Sequence, residues 1–133
     1  MNIVKIHTTF HSSIDQVWEL MTDLNKQLWR SDVDHIEMID HHRFIEYDKG
    51  GIKTEFVVLN KIRNDVYEFN FMNVNIEGHF IGKLKILDNG DTYLEMIEAV
   101  EPKKKILKLT LKKYLQKQQN LYIQDLKKAL GEQ

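Results

Sequence analysis

Cysteine is absent from this sequence, and its absence excludes disulfide bonds, thiolate catalysis and cysteine metal sites. No apolar run approaches the roughly 20 residues that span a bilayer, so we predict no integral membrane association. Residues 1–10 alternate polar and apolar side chains and do not form the apolar core of a signal peptide. We interpret them as part of the mature fold, and these absences together favour a cytoplasmic protein.

The only proline, Pro102, stands where the charge of the chain changes sign. Residues 1–102 contain 10 basic and 18 acidic side chains, a net charge of −8, whereas residues 103–133 contain 9 lysines and 2 acids, a net charge of +7. The resulting net charge of −1 argues against a dedicated nucleic-acid-binding protein. There is no linker and no internal repeat, so we predict a single domain over residues 1–133.

The spacing of apolar residues changes twice along the chain. Residues 2–10 alternate as in a β-strand, and Ser12 or Ser13 is suited to cap an amphipathic helix over about 13–24. A second short helix is predicted over about 25–32. Residues 35–101 then keep a period of two throughout, which is typical of strands.

Turn signals divide residues 35–101 into six predicted strands. They lie at Asp40-His41, Lys49-Gly50-Gly51, Arg63-Asn64-Asp65, around Glu77-Gly78, and at Asp88-Asn89-Gly90-Asp91. The Asn89-Gly90 pair predicts a type I′ hairpin turn, in which both central residues have positive φ. Because parallel strands need long crossover connections, six strands joined by short turns predict an antiparallel meander.

After Pro102 the sequence predicts a helix of about 25 residues, roughly 38 Å long. Its apolar residues share one broad face, with Gln118 almost at the centre, and its lysines lie on the flanks and the opposite side. A sheet with one apolar face and a helix with one apolar stripe cover each other. The expected fold class is therefore α+β, in two layers.

This order of elements is similar to the helix-grip fold of the START-like superfamily, also called SRPBCC, which includes polyketide cyclase/dehydratase-like proteins. The segment from Ser13 to Leu20 resembles the "S-x-x-x-V-W" start of that family's first helix. Further matches to the family pattern are Trp29, Gly51, Thr54, Gly78, Gly82, Asn89-Gly90-Asp91-Thr92 and Glu98.

The resemblance implies a curved antiparallel sheet of about seven strands, two short helices after strand 1, and a long C-terminal helix packed on the sheet. It also implies a cavity between sheet and helix that often holds an apolar ligand. It does not imply one reaction, because members of the superfamily include carriers, hormone sensors, cyclases and chaperone activators.

Alternation along the strands, together with the helix face, predicts the residues that line such a cavity. They are Trp29, Arg30, His42, Phe44, Glu46, Thr54, Phe56, Tyr67, Phe69, Phe71, Phe80, Met96, Glu98, Tyr114, Gln118 and Tyr122. For the aromatic members, plain core packing is the alternative. A carboxylate that faces an apolar interior needs a partner or becomes protonated. Arg30 is the nearest candidate cation for Glu46 or Glu98, either as a structural ion pair or to orient the polar end of a ligand.

Other kinds of site lack their sequence signals. The six histidines have no metal-ligand spacing, and no G-x-S-x-G motif or glycine-rich phosphate loop is present, so we predict no metal and no cofactor. The lysine runs at 103–105 and 112–113 could suggest RNA or an anionic membrane. Their helical spacing favours the solvated face of an amphipathic helix.

Three functions are consistent with these features. The favoured one is binding of a small apolar or amphipathic ligand between sheet and helix. The first alternative is a polyketide cyclase/dehydratase-like or hydrolytic enzyme, and the second is a protein-interaction module of the chaperone-activator type. The enzyme would use Glu98, Glu46, His42 or Tyr67, and the module would use the outward residues Tyr93 and Ile97 or the basic helix. The sequence assigns no catalytic residue and leaves a homodimer open.

Overall fold

The strands and helices follow the predicted α+β order in a computed structural model that describes residues 1–132. The strands are β1 (Asn2–Phe10), β2 (Val33–Met38), β3 (Arg43–Asp48), β4 (Lys53–Ile62), β5 (Val66–Met72), β6 (Ile76–Ile86) and β7 (Thr92–Pro102). The helices are α1 (Ile14–Thr22) and α2 (Leu111–Ala129), and a 3₁₀ turn at Lys105–Leu107 precedes α2. The predicted fold class is confirmed by this arrangement.

All seven strands form one antiparallel sheet in the order β1-β7-β6-β5-β4-β3-β2. Strands β2 to β7 are the predicted meander. The first strand joins it at the other edge, where Asn2 lies opposite Val100 and Phe10 lies opposite Thr92. The first and last strands of the chain, β1 and β7, are therefore neighbours in the sheet.

Helix α1 begins at a capping box. The Ser13 hydroxyl accepts a hydrogen bond from the Gln16 amide at 3.2 Å, and the Gln16 side chain accepts one from the Ser13 amide at 3.0 Å. These two bonds satisfy backbone donors that the first turn of a helix leaves free. The apolar face of α1, which includes Val17 and Trp18, is buried and packs towards β6.

Helix α2 packs along β1 at the edge of the sheet. Its buried residues are Leu111, Leu115, Gln119, Ile123 and Leu126. The prediction that Gln118 lies at the centre of the apolar stripe is wrong, since Gln119 occupies that position. Successive side chains of a helix point about 100° apart, so an error in the predicted rotation of the helix exchanges one glutamine for its neighbour. In the described residues neither helix is long and apolar enough to span a membrane.

Two predicted helical segments differ from the structure. Residues 25–32 form turns and not a second helix, because the buried Gln27 side chain donates to the carbonyls of Leu20 at 3.1 Å and Asp23 at 2.8 Å. The C-terminal helix has 19 residues and not about 25. The lysine run that precedes it sets like charges one turn apart, as at Lys104 and Lys108, which disfavours an α-helix there.

Two predicted turns also differ. The turn before β6 lies at 73–75 and not at Glu77-Gly78, because the Asn73 side chain accepts from the amides of Asn75 at 2.8 Å and Ile76 at 3.0 Å. In the β6–β7 hairpin Gly90 has a φ of +88°, whereas Asn89 is not among the residues with positive φ. The Gly90 amide donates to the Leu87 carbonyl at 2.9 Å, so the turn begins at Leu87 and is not type I′.

Gly78 lies inside β6, where it lets two other strands approach closely. A Cβ atom at this position would lie 2.7 Å from Cζ of Phe71 on β5 and 3.0 Å from the carbonyl oxygen of Ala99 on β7. Backbone cannot move aside as the end of a flexible side chain can. A Cβ at Gly82 would meet only the Phe80 ring within 3.2 Å.

The substitution Gly78→Ala is expected to lower the free energy of unfolding by about 1–3 kcal/mol, the usual cost of overpacking. Gly82→Ala is the matched control and should cost less, because the Phe80 side chain can shift. Urea denaturation of both variants measures the difference. Equal losses at the two positions would contradict this account of Gly78.

Candidate ligand-binding cavity

A cavity of about 530 Å³ lies between the inner face of the sheet and α2. Strands β3 to β7 form one wall, and α2 with the segment before it forms the other. Among its lining residues Thr110 and Tyr114, at the N-terminal end of α2, are exposed to solvent. The cavity therefore opens at that end of the helix.

Phenylalanine rings form a continuous wall across the sheet. Phe44 stacks on Phe56 at 4.6 Å between ring centres, and Phe69 stacks on Phe80 at 4.5 Å. Phe56 and Phe69 meet edge to face at 5.2 Å. Because the stacked partners lie directly opposite each other on adjacent strands, the strand register itself builds this wall.

A buried ion pair lies beside the aromatic wall. The Arg30 guanidinium binds both carboxylate oxygens of Glu46, at 2.9 and 3.2 Å, and lies 3.6 Å from Asp32. It also lies over the Tyr122 ring, 5.4 Å from its centre. Burial alone would lower the pKa of Arg30, but the charges of Glu46 and Asp32 outweigh burial and hold that pKa above its ordinary value. Arg30 is therefore a permanent cation with a fixed partner.

The turns at residues 23–32 hold Arg30 in place through side-chain hydrogen bonds. The Trp29 indole donates to the Leu20 carbonyl at 3.2 Å and packs edge to face on Tyr122. The Ser31 amide and hydroxyl both donate to Asp125 of α2 at 2.8 Å. This segment is thus fixed near the C-terminal ends of both helices. The spacing of apolar residues in the sequence does not reveal such contacts, because they join residues far apart in the chain.

Glu98 is the second carboxyl group of the cavity, and it is not bound to Arg30. One of its oxygens accepts a hydrogen bond from the Gln119 amide at 3.0 Å, and the same amide donates to the Val4 carbonyl at 3.2 Å. Its other oxygen has no hydrogen-bond partner within residues 1–132. Burial raises the pKa of Glu98, and the Gln119 hydrogen bond and the Arg30 charge only partly oppose this.

Three tyrosines line the cavity, Tyr67, Tyr114 and Tyr122, and none of their hydroxyls is hydrogen-bonded to any of residues 1–132. Burial, followed by the charge of Glu46, raises the pKa of Tyr67 to about 12. Burial likewise raises the pKa of Tyr122. Both phenols are neutral near pH 7, so each can donate one hydrogen bond to a bound molecule.

Most residues predicted to line a cavity do lie on this one. They are Arg30, Phe44, Glu46, Thr54, Phe56, Tyr67, Phe69, Phe71, Phe80, Met96, Glu98, Tyr114, Gln118 and Tyr122. Trp29 lies behind Tyr122, outside the lining. The placement of His42 is wrong, because it lies exposed in the turn before β3, where strand alternation does not apply.

The sequence reasoning missed several polar residues of the lining. Asp32 stands in a turn, where period-two patterns do not assign a direction, whereas Asp48 is the last residue of β3. Gln119 was missed through the error in the predicted rotation of α2. Asp48 carried one usable signal, since it follows Phe44 and Glu46 at intervals of two residues along the same strand.

A comparison with solved structures finds proteins of the same shape. A START superfamily protein from Mycobacterium smegmatis has a TM-score of 0.86 at 11% identity and covers 96% of this chain and 95% of that chain. Protein MLL2253 from Mesorhizobium loti has a TM-score of 0.80 at 13% identity, with 98% and 97% covered. DynU16, a protein of the dynemicin biosynthetic locus, has a TM-score of 0.74 at 16% identity, with 97% of this chain and 47% of that one covered.

The chain therefore has the helix-grip fold of the START-like superfamily. No protein-family model matches the sequence, and no curated protein matches it. At the identities found, the likeness establishes the fold and not a ligand or reaction, because one fold supports many functions. The chemistry of the cavity has to be argued from its own residues.

Breaking the Arg30–Glu46 pair from one side should be more costly than removing it. Their side chains are only 16% and 14% exposed, so Arg30→Met leaves a buried, unpaired carboxylate and is expected to cost about 3–5 kcal/mol. The double variant Arg30→Met/Glu46→Leu should cost less than the sum of the two single changes. Guanidinium denaturation of all four proteins measures the coupling, and strict additivity would contradict it.

Glu98 should make stability fall as pH rises. Its pKa is higher in the folded than in the unfolded chain, so its favourable contribution is present at low pH and is lost as pH rises through the folded pKa. Glu98→Gln should therefore gain stability relative to the parent as pH rises from the unfolded to the folded pKa of Glu98, by ~1.4 kcal/mol for each unit of pKa difference. Thermal unfolding measures this, with the exposed Glu55→Gln as control. A pH-independent difference would argue against an ionisable Glu98.

Proposed function

We propose that this protein binds a small apolar or amphipathic ligand in the cavity between the sheet and α2. The observation that carries the proposal is the aromatic wall, which faces an open volume of about 530 Å³ and is not covered by the helix. Phe56 and Phe69 lie in the middle of the sheet and are still only partly buried. Ligand pockets usually have volumes of about 300–1,000 Å³ and pair an apolar lining with a few polar groups.

The energetics of burial support this proposal. Apolar surface that leaves water contributes about 25 cal/mol for each Å², and α2 leaves part of the ring surface of the sheet uncovered. A ligand that fills the cavity would bury that surface. The free hydroxyls of Tyr67 and Tyr122 and the free oxygen of Glu98 would then fix the orientation of a polar end of the ligand.

The enzymatic alternative has fewer supporting residues than the sequence suggested. It needs two acid–base groups at one open site. Glu46 is held by Arg30, and His42 lies outside the cavity, which leaves Glu98 and Tyr67. If the protein converts a ligand, the Glu98→Gln variant should still hold the unconverted compound, whereas the parent protein should hold or release its product. Mass spectrometry of extracts from both proteins would detect this difference.

The interaction-module alternative gains less support. The Tyr93 ring stacks on His7 at 5.9 Å and lies beneath the Lys85 ammonium at 6.0 Å, and Ile97 is half-buried. This part of the outer face therefore presents covered rather than bare apolar groups.

The absence of cysteine supports a cytoplasmic location, although it does not bear on which ligand is bound.

Ligand binding can be tested by blocking the cavity from the helix. Gln118→Trp places a large ring on the cavity side of α2, and Gln116→Trp places the same ring on its exposed side as a matched control. The neutral fluorescent probe N-phenyl-1-naphthylamine should bind the parent and the Gln116 variant alike. The Gln118 variant should bind it at least about tenfold more weakly, a loss of ~1.4 kcal/mol.

Thermal unfolding should show that both tryptophan variants are folded, so that a loss of binding is not a loss of structure. Native mass spectrometry of freshly purified protein adds an independent measurement, in which a bound small molecule appears as extra mass. A parent protein that binds no apolar probe, or equal binding by all three proteins, would overturn the proposal.

A further inference from the structure

The ionisable groups that line the cavity are mainly acidic. Arg30 is the one basic lining residue within residues 1–132, and it is accompanied by the carboxyl groups of Asp32, Glu46, Asp48 and Glu98. Both terminal nitrogens of Arg30 are bound to Glu46, which compensates its charge locally. Three carboxyl groups are left without a full counter-charge, although Asp32 lies 3.6 Å from Arg30.

These three carboxyl groups act on one region near the cavity opening. Tyr114 lines the exposed end of the cavity together with them: burial raises the pKa of its hydroxyl, and so do the charges of Asp48, Asp32 and Glu98. Asp48 is fixed there by the hydrogen bond from the Ile52 amide. The negative potential therefore lies at the side of the cavity through which a ligand would enter.

The unpartnered oxygens of Tyr67 and Glu98 can each accept a hydrogen bond from a positively charged donor, although the Tyr67 hydroxyl can also donate one. The Tyr67 residue is only 4% exposed, and its hydroxyl oxygen has no partner within residues 1–132. The second oxygen of Glu98 is equally free, and Glu98 lies directly opposite Phe80 on the neighbouring strand. An ionised carboxylate can accept hydrogen bonds but not donate them, and the faces of aromatic rings attract cations.

We propose that the cavity selects an apolar molecule that carries one ammonium group over the carboxylate of the same length. This inference rests on the proposed function, since it names the class of ligand. The ammonium group would lie between Glu98 and the opening, with the apolar chain on the phenylalanine wall. A carboxylate in the same position would face the acidic groups of Asp32, Asp48 and Glu98, and the two terminal nitrogens of Arg30 already bind Glu46.

A competing electrostatic influence lies outside the cavity. The exposed lysines Lys103, Lys104, Lys105 and Lys108 precede α2, and the N-terminal end of that helix carries a partial positive charge. Both would favour an anionic ligand if they controlled entry. The charge preference of the protein therefore distinguishes the inner carboxyl groups from the outer lysines.

The experiment is a displacement series with the neutral probe N-phenyl-1-naphthylamine, in which decylamine, decanol and decanoate compete at equal chain length and below micelle formation. We expect decylamine to bind at least about tenfold more tightly than decanoate, with decanol between them. The affinity for decylamine should rise with pH as Glu98 loses its proton, while that for decanol stays constant.

Variants assign the effect to the inner carboxyl groups. Glu98→Gln with Asp48→Asn should bring decylamine to within about threefold of decanol, with both affinities measured in the same variant. Asp34→Asn, an exposed carboxyl outside the cavity, is the matched control and should preserve the preference. Tighter binding of decanoate, or equal binding of the three compounds, would overturn this inference alone. Failure of the probe and of all three compounds to bind would instead overturn the proposed function.

Discussion

One helix has to cover a sheet of seven strands, and the rest of the structure depends on this mismatch. Strands lie about 4.8 Å apart, so the sheet is roughly 30 Å wide, whereas a helix with its side chains is about 10 Å across. Helix α2 packs along β1, where the Gln119 amide reaches the Val4 carbonyl. Helix α1 and the turns after it cover a further part. The remaining inner face, which carries the phenylalanine wall, borders the cavity.

Polar contacts hold the surrounding segments where apolar packing does not. The Ser31 amide and hydroxyl donate to Asp125, so the turns before β2 are tied to α2. Just beyond the C-terminal end of α2, Glu132 accepts from the amides of His11 at 2.8 Å and Ser12 at 3.0 Å. The hydrogen bonds of these two carboxylates fix α2 relative to the sheet while the space beside it stays open.

The ion pair and the free carboxyl group have different consequences for the cavity. Arg30 and Glu46 satisfy each other, so they shape the wall and add little net charge. Glu98 is held by a single hydrogen bond from Gln119 and keeps one oxygen free, so burial shifts its titration and leaves it able to respond to a bound molecule. A buried carboxyl group with a raised pKa and an open side is typical of functional positions, although structural networks also produce such shifts.

Apolar periodicity was enough to predict the class of fold, because strand and helix periods are local properties of neighbouring residues. Period-two alternation also placed Phe44, Phe56 and Phe69 on one wall, since strand register follows from short turns. Which glutamate binds Arg30 became clear from the folded arrangement alone. The same arrangement determines that residues 25–32 form turns, and that Gln119 rather than Gln118 faces Glu98. These outcomes depend on contacts between residues far apart in the chain, and on a helix rotation that one residue changes by about 100°.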